Sequence, residues 1–121
     1  MLEVPKIVKV VVEAYELGAE MTALIVDQSE WSQNTFGSDA ERGPIGPLKH
    51  LEKEARECQA AVGTSELKEE LADCLIIWLD AIRRSGFNSL EMIKEAQAKM
   101  VKNRARSWPV PVANEPVEHI R

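Results

Sequence analysis

The sequence has little cysteine and few aromatics, and its positive charges are outnumbered by negative ones; the cysteine count and the charge balance narrow what the chain does. Its only two cysteines, Cys58 and Cys74, form no CxxC pair and no cluster with the two histidines, which argues against zinc or thiol redox chemistry. Both fall in apolar helical stretches, where a free thiol acts as a small hydrophobe, and they point to a reducing, cytoplasmic setting. Fifteen Lys and Arg against twenty Asp and Glu give a formal net charge of −5, which argues against a nucleic-acid polymer or an anionic membrane as partner. No apolar run has the length of a membrane span, and the opening MLEVPKIVKVVVEAYELGAEM carries acidic residues within its apolar part, unlike a secretory leader. What remains is 121 residues, 45% hydrophobic and 29% charged, one domain's worth of an ordinary globular protein and small enough to gain from oligomerisation.

Residues 1–20 read as an N-terminal extension of uncertain structure. Their Val and Ile favour a strand, whereas Val4, Ile7, Val11 and Tyr15 fit one face of a helix opened by Pro5, the reading preferred here. A second apolar stretch begins at Met21. Residues 34–47, NTFGSDAERGPIGP, are dense in Gly, Pro, Ser and Asp and predict a long loop of the kind that often carries function. Residues 48–61 then place Leu48, Leu51, Ala55 and Cys58 on one helical stripe, which Gly63 ends. Residues 65–84 form the central helix, with Ser65 as cap and Gly86 as stop. Asn88 and Glu91 have capping-box spacing and open a last helix with Leu90, Ile93, Ala96 or Gln97, and Met100 facing inward. It ends in Lys99, Lys102, Arg104 and Arg106, cations that suit a helix C-terminus, and residues 110–121 follow as an extended tail. The predicted fold class is all-α, a helical bundle whose working domain spans 21–109.

The central helix reads as apolar nearly all round, yet contains Asp73 and Asp80, and a buried carboxylate needs a partner. Glu54 and Glu57 are three residues apart, as are Glu70 and Asp73, so each pair projects from one face of its helix. A short connection makes the two helices antiparallel neighbours and brings the four carboxylates together, where a hard divalent cation is the fitting counter-ion. Asp80, one heptad after Asp73, is a candidate further ligand or a group that orients one. A solvated acidic face, or an aspartate capping a neighbouring backbone, are the plainer readings of the same residues.

The pattern Glu54-x-x-Glu57 followed by Glu70-x-x-Asp73 resembles the metal-binding signature EExxE…ExxD of the all-α MazG-type nucleoside triphosphate pyrophosphohydrolases; Lys53 stands where the leading Glu is expected. WSQNTFGSDAERGPIGPLKHLEKEARE (31–57) and KNRARSWP (102–109) are similar to the phage and prophage branch of dATP/dGTP diphosphohydrolases, called MazZ, and the likeness covers roughly 27–109. The resemblance implies metal-dependent cleavage of purine deoxynucleoside triphosphates between the α- and β-phosphates, in a dimer or tetramer, in the host cytoplasm if the gene is a phage's. It implies two or more Mg²⁺ or Mn²⁺ ions held by Glu54, Glu57, Glu70 and Asp73, with Glu54 or Glu57 taking the proton of the attacking water.

Lys49, Lys102, Asn103 and Arg104 are candidates to hold the triphosphate, though cations at a helix C-terminus are also common solubility features. Trp31, Gln33, Asn34 and Phe36 are candidates for the base pocket, with a core role for Trp31 as the alternative. His50, one turn before Glu54, is a candidate supporting contact, and Trp78 a candidate for the core or a subunit interface. Two other readings stand beside the enzyme. One is a non-catalytic helical module, either a metal-stabilised dimer or a nucleotide-binding regulator; the other is a pyrimidine deoxynucleotide pyrophosphatase.

Overall fold

Four helices account for the regular structure of the described residues: α1 (Val4–Phe36), α2 (Ile45–Ala61), α3 (Leu67–Arg84) and α4 (Ser89–Ala105). They are seen in a computed structural model that describes residues 4–121. Among the described residues the only strand-like pairing is one antiparallel bridge between Ser107 and Ile120, so the all-α class holds. No helix of the described residues is long and apolar enough to cross a membrane. The chain divides into two compact units, with the boundary between Gly86 and Phe87.

In the first unit α3 packs against both α2 and α1. Its buried apolar residues are Cys58 and Ala61 from α2 and Leu79, Ala81 and Ile82 from α3. Gly63 and Gly86 end α2 and α3 at φ +83° and +89°, a left-handed conformation that costs a residue with a Cβ.

Several sequence expectations change. Residues 4–20 are helical as preferred, residues 1–3 lying outside the described residues, and α1 runs through residue 20 without a break. The loop expected over 34–47 shrinks at both ends, since Asn34–Phe36 finish α1 and Ile45–Pro47 begin α2. Gly46 and Pro47 read as breakers, yet a helix's first turn asks little of its N–H groups, and the Leu48 amide makes an early bond to the Pro44 carbonyl at 3.0 Å. Ser65 does not cap α3. Glu66 occupies that position without a side-chain bond, while Thr64 Oγ1 accepts from the Glu66 amide at 3.3 Å. The central helix is not apolar-buried all round either, because Leu71, Leu75 and Trp78 form an exposed stripe, Trp78 being 45% exposed.

In the second unit Asn88 caps α4 as expected, its side chain accepting from the Glu91 amide at 2.8 Å. The inward face predicted for α4 is not buried, however; Leu90, Ile93 and Met100 are exposed, and α4 has no buried residue. Periodicity identified an apolar face, but a face is buried only if another surface covers it. The tail is not free. The Ile120 amide donates to the Ser107 carbonyl at 2.8 Å, and the Trp108 indole meets the His119 ring edge-on with centroids 5.9 Å apart.

Candidate functional site

Three of the four carboxylates expected to meet, from α2 and α3, come together. Oxygens of Glu54, Glu57 and Glu70 lie within 4.8 Å of one another. Glu54 is buried, and its Oε2 and that of Glu70 are shut off from solvent with no hydrogen-bond partner. Orphaned buried carboxylate oxygens are costly, and a hard cation is what satisfies them. Burial, and then the neighbouring Glu57, Asp73 and Glu54 charges, push the Glu70 carboxyl above its ordinary pKa. The all-oxygen donor set suits Mg²⁺ or Mn²⁺, so these residues fit the ion the sequence pointed to. Asp73 stands apart from the trio, exposed and lining the adjacent cavity, close enough for its charge to act on Glu70.

Two neighbours shape the cluster. His50 Nε2 lies 2.9 Å from Glu54 Oε1, which fixes that carboxylate and leaves its other oxygen unpaired. Lys53, in place of the leading Glu, forms an exposed ion pair with Glu57 at 3.6 Å. Just behind, Cys58 and Cys74 thiols are 3.4 Å apart, and burial with the Cys58 contact pushes the Cys74 thiol up to about 11.

Asp80 proves to be neutralised by arginine, not by the metal cluster. Its Oδ1 accepts from Gln28 at 3.0 Å, Ser32 at 2.6 Å and Arg83 at 2.6 Å, while Oδ2 accepts from Arg84 at 2.9 Å. Burial alone would raise its pKa; the four hydrogen bonds outweigh that and bring it to about 2. Arg84 then gives its remaining donors to Ser32 Oγ at 3.0 Å and to backbone, reaching the carbonyls of Gly37, Ser38 and Arg42 at 3.0, 3.3 and 3.0 Å. One buried ion pair therefore ties α3 to the end of α1 and to the connection that follows it.

A cavity of about 550 Å³ opens between the carboxylate cluster and this network. Leu24, Trp31, Phe36, Ile76 and Ile77 supply apolar walls, with Trp31 and Phe36 in an edge-to-face pair 5.2 Å apart. Glu54 and Asp73 line the same space, so a ligand there lies beside the acidic groups.

Of the residues singled out from sequence, Trp31, Phe36, His50, Glu54, Asp73 and Asp80 line this cavity. Gln33 and Asn34 do not. The Gln33 amide bonds Ser29 and the Asp39 backbone, and Asn34 is exposed on α1. Lys49 is exposed on α2 outside the lining. Lys102, Asn103 and Arg104 belong to the second unit, where the Asn103 carbonyl accepts from the Trp108 indole at 2.7 Å and its side chain from Arg106. Sequence reasoning missed Asp27, Gln28, Ser32 and Arg42 in the lining, and Arg83 and Arg84 as Asp80's partners. Only the last two had a visible signal, three and four residues beyond Asp80 on one helix.

Comparison with known proteins agrees with this geometry. The Eaa protein of Salmonella phage P22 is 41% identical over 95 residues, 78% of this chain and 28% of that protein, so the chain spans under a third of this relative's length. A solved structure of the cyanophage S-2L MazG-like pyrophosphohydrolase, bound to dGDP and three catalytic Mn²⁺ ions per active site, matches with a TM-score of 0.62 and 30% identity. The match covers 83% of this chain and 92% of that one. The profile of the dATP/dGTP pyrophosphohydrolases matches residues 24–121, which takes in every residue of the carboxylate cluster and the cavity. On that match, the chain belongs to the dATP/dGTP pyrophosphohydrolase family.

Proposed function

We propose that the chain hydrolyses purine deoxynucleoside triphosphates, dATP and dGTP, to the monophosphate and pyrophosphate with Mg²⁺ or Mn²⁺. The observation that carries this reading is the pair of orphaned, buried oxygens on Glu54 and Glu70 beside an aromatic-walled cavity. A polyanionic ligand enters an acidic site only with cations, and an aromatic wall is what a nucleobase stacks on.

In this reading Glu54, Glu57, Glu70 and Asp73 hold two or more divalent ions. When bound, such ions neutralise phosphate charge and lower the pKa of a coordinated water. His50 keeps Glu54 oriented, and Glu54 or Glu57 accepts the water's proton as its oxygen bonds to phosphorus and the α–β bridging P–O bond breaks. Trp31 and Phe36 hold the base and keep water from the apolar end of the cavity. Asp80 acts through structure, fixing Ser32 and Gln28 on the cavity wall.

Self-association belongs to the same proposal. The stripe Leu71, Leu75 and Trp78 on α3 leaves large apolar side chains exposed in a lone chain, as does Leu90, Ile93 and Met100 on α4. A second copy of the chain, in a dimer or tetramer, is the proposed cover.

The test is to incubate the protein with each deoxynucleoside triphosphate and Mn²⁺ or Mg²⁺ and resolve products by chromatography, with a chelator control. Pyrophosphate and dGMP or dAMP are expected, abolished by chelator. No turnover of any nucleotide would overturn the reading, and orthophosphate release would mean that the bond is wrong. Preference for dCTP or dTTP would favour a pyrimidine enzyme.

A further inference from the structure

Between residues 24 and 86 the chain has four arginines, Arg42, Arg56, Arg83 and Arg84. Arg56 pairs with Glu52, Arg83 with Asp39 and Asp80, and Arg84 with Asp80. Arg42 makes no ion pair among the described residues, yet it lines the cavity and is the one arginine or lysine in that lining. Its placement is built from both ends. The Arg42 amide donates to the Ser38 carbonyl at 3.0 Å, and its own carbonyl accepts from Arg84 at 3.0 Å, so the buried Asp80–Arg84 pair holds its backbone. The guanidinium carbon sits 5.9 Å from the Phe36 ring centroid. On its other side is Gly46, where an added Cβ would come 2.4 Å from Nη2; the glycine leaves the room that the guanidinium occupies.

Gly46, His50 and Glu54 follow one another at four-residue spacing on one face of α2. The eight steps from Gly46 to Glu54 amount to about 12 Å of helix. This sets Gly46, beside the Arg42 guanidinium, about two helical turns from the Glu54 backbone, on the side of the cavity away from the Glu54, Glu57 and Glu70 cluster. The separation suits the span from a nucleotide's 5′-phosphate to the far edge of a purine.

We propose that Arg42 is the base-reading residue of the cavity, its guanidinium fork donating to O6 and N7 of guanine. Those two acceptors side by side match two parallel N–H donors, whereas adenine presents N7 beside an amino donor that opposes a second N–H. The proposal rests on the pyrophosphohydrolase reading and adds a preference for dGTP over dATP with a single residue behind it.

The experiment compares wild type, Arg42→Ala and Arg42→Lys on dGTP, dITP, 7-deaza-dGTP and dATP with Mn²⁺, alongside equilibrium dialysis of dGMP and dAMP. dITP keeps both acceptors and 7-deaza-dGTP lacks N7. Wild type is expected to favour dGTP and dITP, and Arg42→Ala to reduce the dGTP-to-dATP ratio of kcat/KM by about ten- to a hundredfold. Arg42→Lys, which loses the fork but keeps the charge, is expected to behave like Arg42→Ala. Equal losses on all four nucleotides would assign Arg42 to phosphate and overturn the proposal, as would an unchanged ratio. Should wild type turn over none of them, the pyrophosphohydrolase reading fails by itself. The dialysis still decides Arg42, since a dGMP preference that the variants do not abolish also overturns its role.

Discussion

Arg84 Nε lies 2.9 Å from Asp80 Oδ2, and the Arg84 side chain is 0% exposed. A buried pair of this kind carries a desolvation cost on each ion, and removing Arg84 leaves Asp80 Oδ2 and the carbonyls of Gly37, Ser38 and Arg42 without that donor, while Arg83, Gln28 and Ser32 still hold Oδ1. Arg84→Met is expected to destabilise the protein by about 3–5 kcal/mol, read as a lowered urea midpoint. It should also speed proteolysis within residues 38–42, whose carbonyls Arg84 holds. An unaltered midpoint would mean that this pair does not tie the connection to α3.

The same aspartate sets an acid limit. Its folded pKa of about 2 lies below the ordinary 3.8, so its contribution is fully present above the unfolded value and is lost as pH falls towards the folded one. About 2 kcal/mol of stability should disappear between pH 4 and 2. Urea denaturation across that range should show a steeper decline in wild type than in Asp80→Asn. Parallel curves would contradict the assignment.

The carboxylate cluster gives the opposite sign. Burial and like charges hold the Glu70 carboxyl above its usual range, so without a cation this site is strained. Glu70→Gln is expected to raise the melting temperature of chelator-treated protein and to shrink the upward shift that Mn²⁺ produces. In wild type, Mn²⁺ at a hundred times its Kd should add about 2.7 kcal/mol. Glu57→Gln and Asp73→Asn should remove turnover while circular dichroism stays helical; normal turnover in either would refute its place at the site.

Gly46→Ala tests the cavity without touching any acidic residue. The atom in the way of the new Cβ is the far end of a flexible side chain, Arg42 Nη2 at 2.4 Å, so the guanidinium moves and the backbone does not. Stability should change by no more than about 0.5 kcal/mol, while the dGTP-to-dATP ratio falls in the direction given by Arg42→Ala. A large loss of stability would show that the space at Gly46 is not yielded by Arg42.

For the exposed stripe on α3, Leu75→Glu and Trp78→Glu place a charge in the proposed contact between copies. Sedimentation velocity should show a larger wild-type species and a variant at the mass of a single chain, 13.5 kDa. A wild type already at that mass would exclude the contact.

Local chemistry made much of this protein readable in its sequence. Helices read from apolar spacing, Asn88 as a cap and Gly63 and Gly86 as stops depend on neighbours a few residues away and stand in the structure, although of the α2 stripe Leu48 and Ala55 are exposed. The two carboxylate pairs were legible for the same reason, since i, i+3 spacing fixes a helix face before any packing occurs. Tertiary structure decided what pairs across long separations. Asp80 looked like a spare metal ligand because Gln28 and Ser32 lie 52 and 48 residues away, and only the packing of α1 on α3 brings them within hydrogen-bond reach. Arg42 carried no signal in the sequence; only the fold lets Arg84 hold its backbone and places Gly46 and Phe36 beside its side chain. The apolar face of α4 shows the same limit from the other side: period gives the direction of a face, and burial needs a surface that the helix's own sequence does not contain.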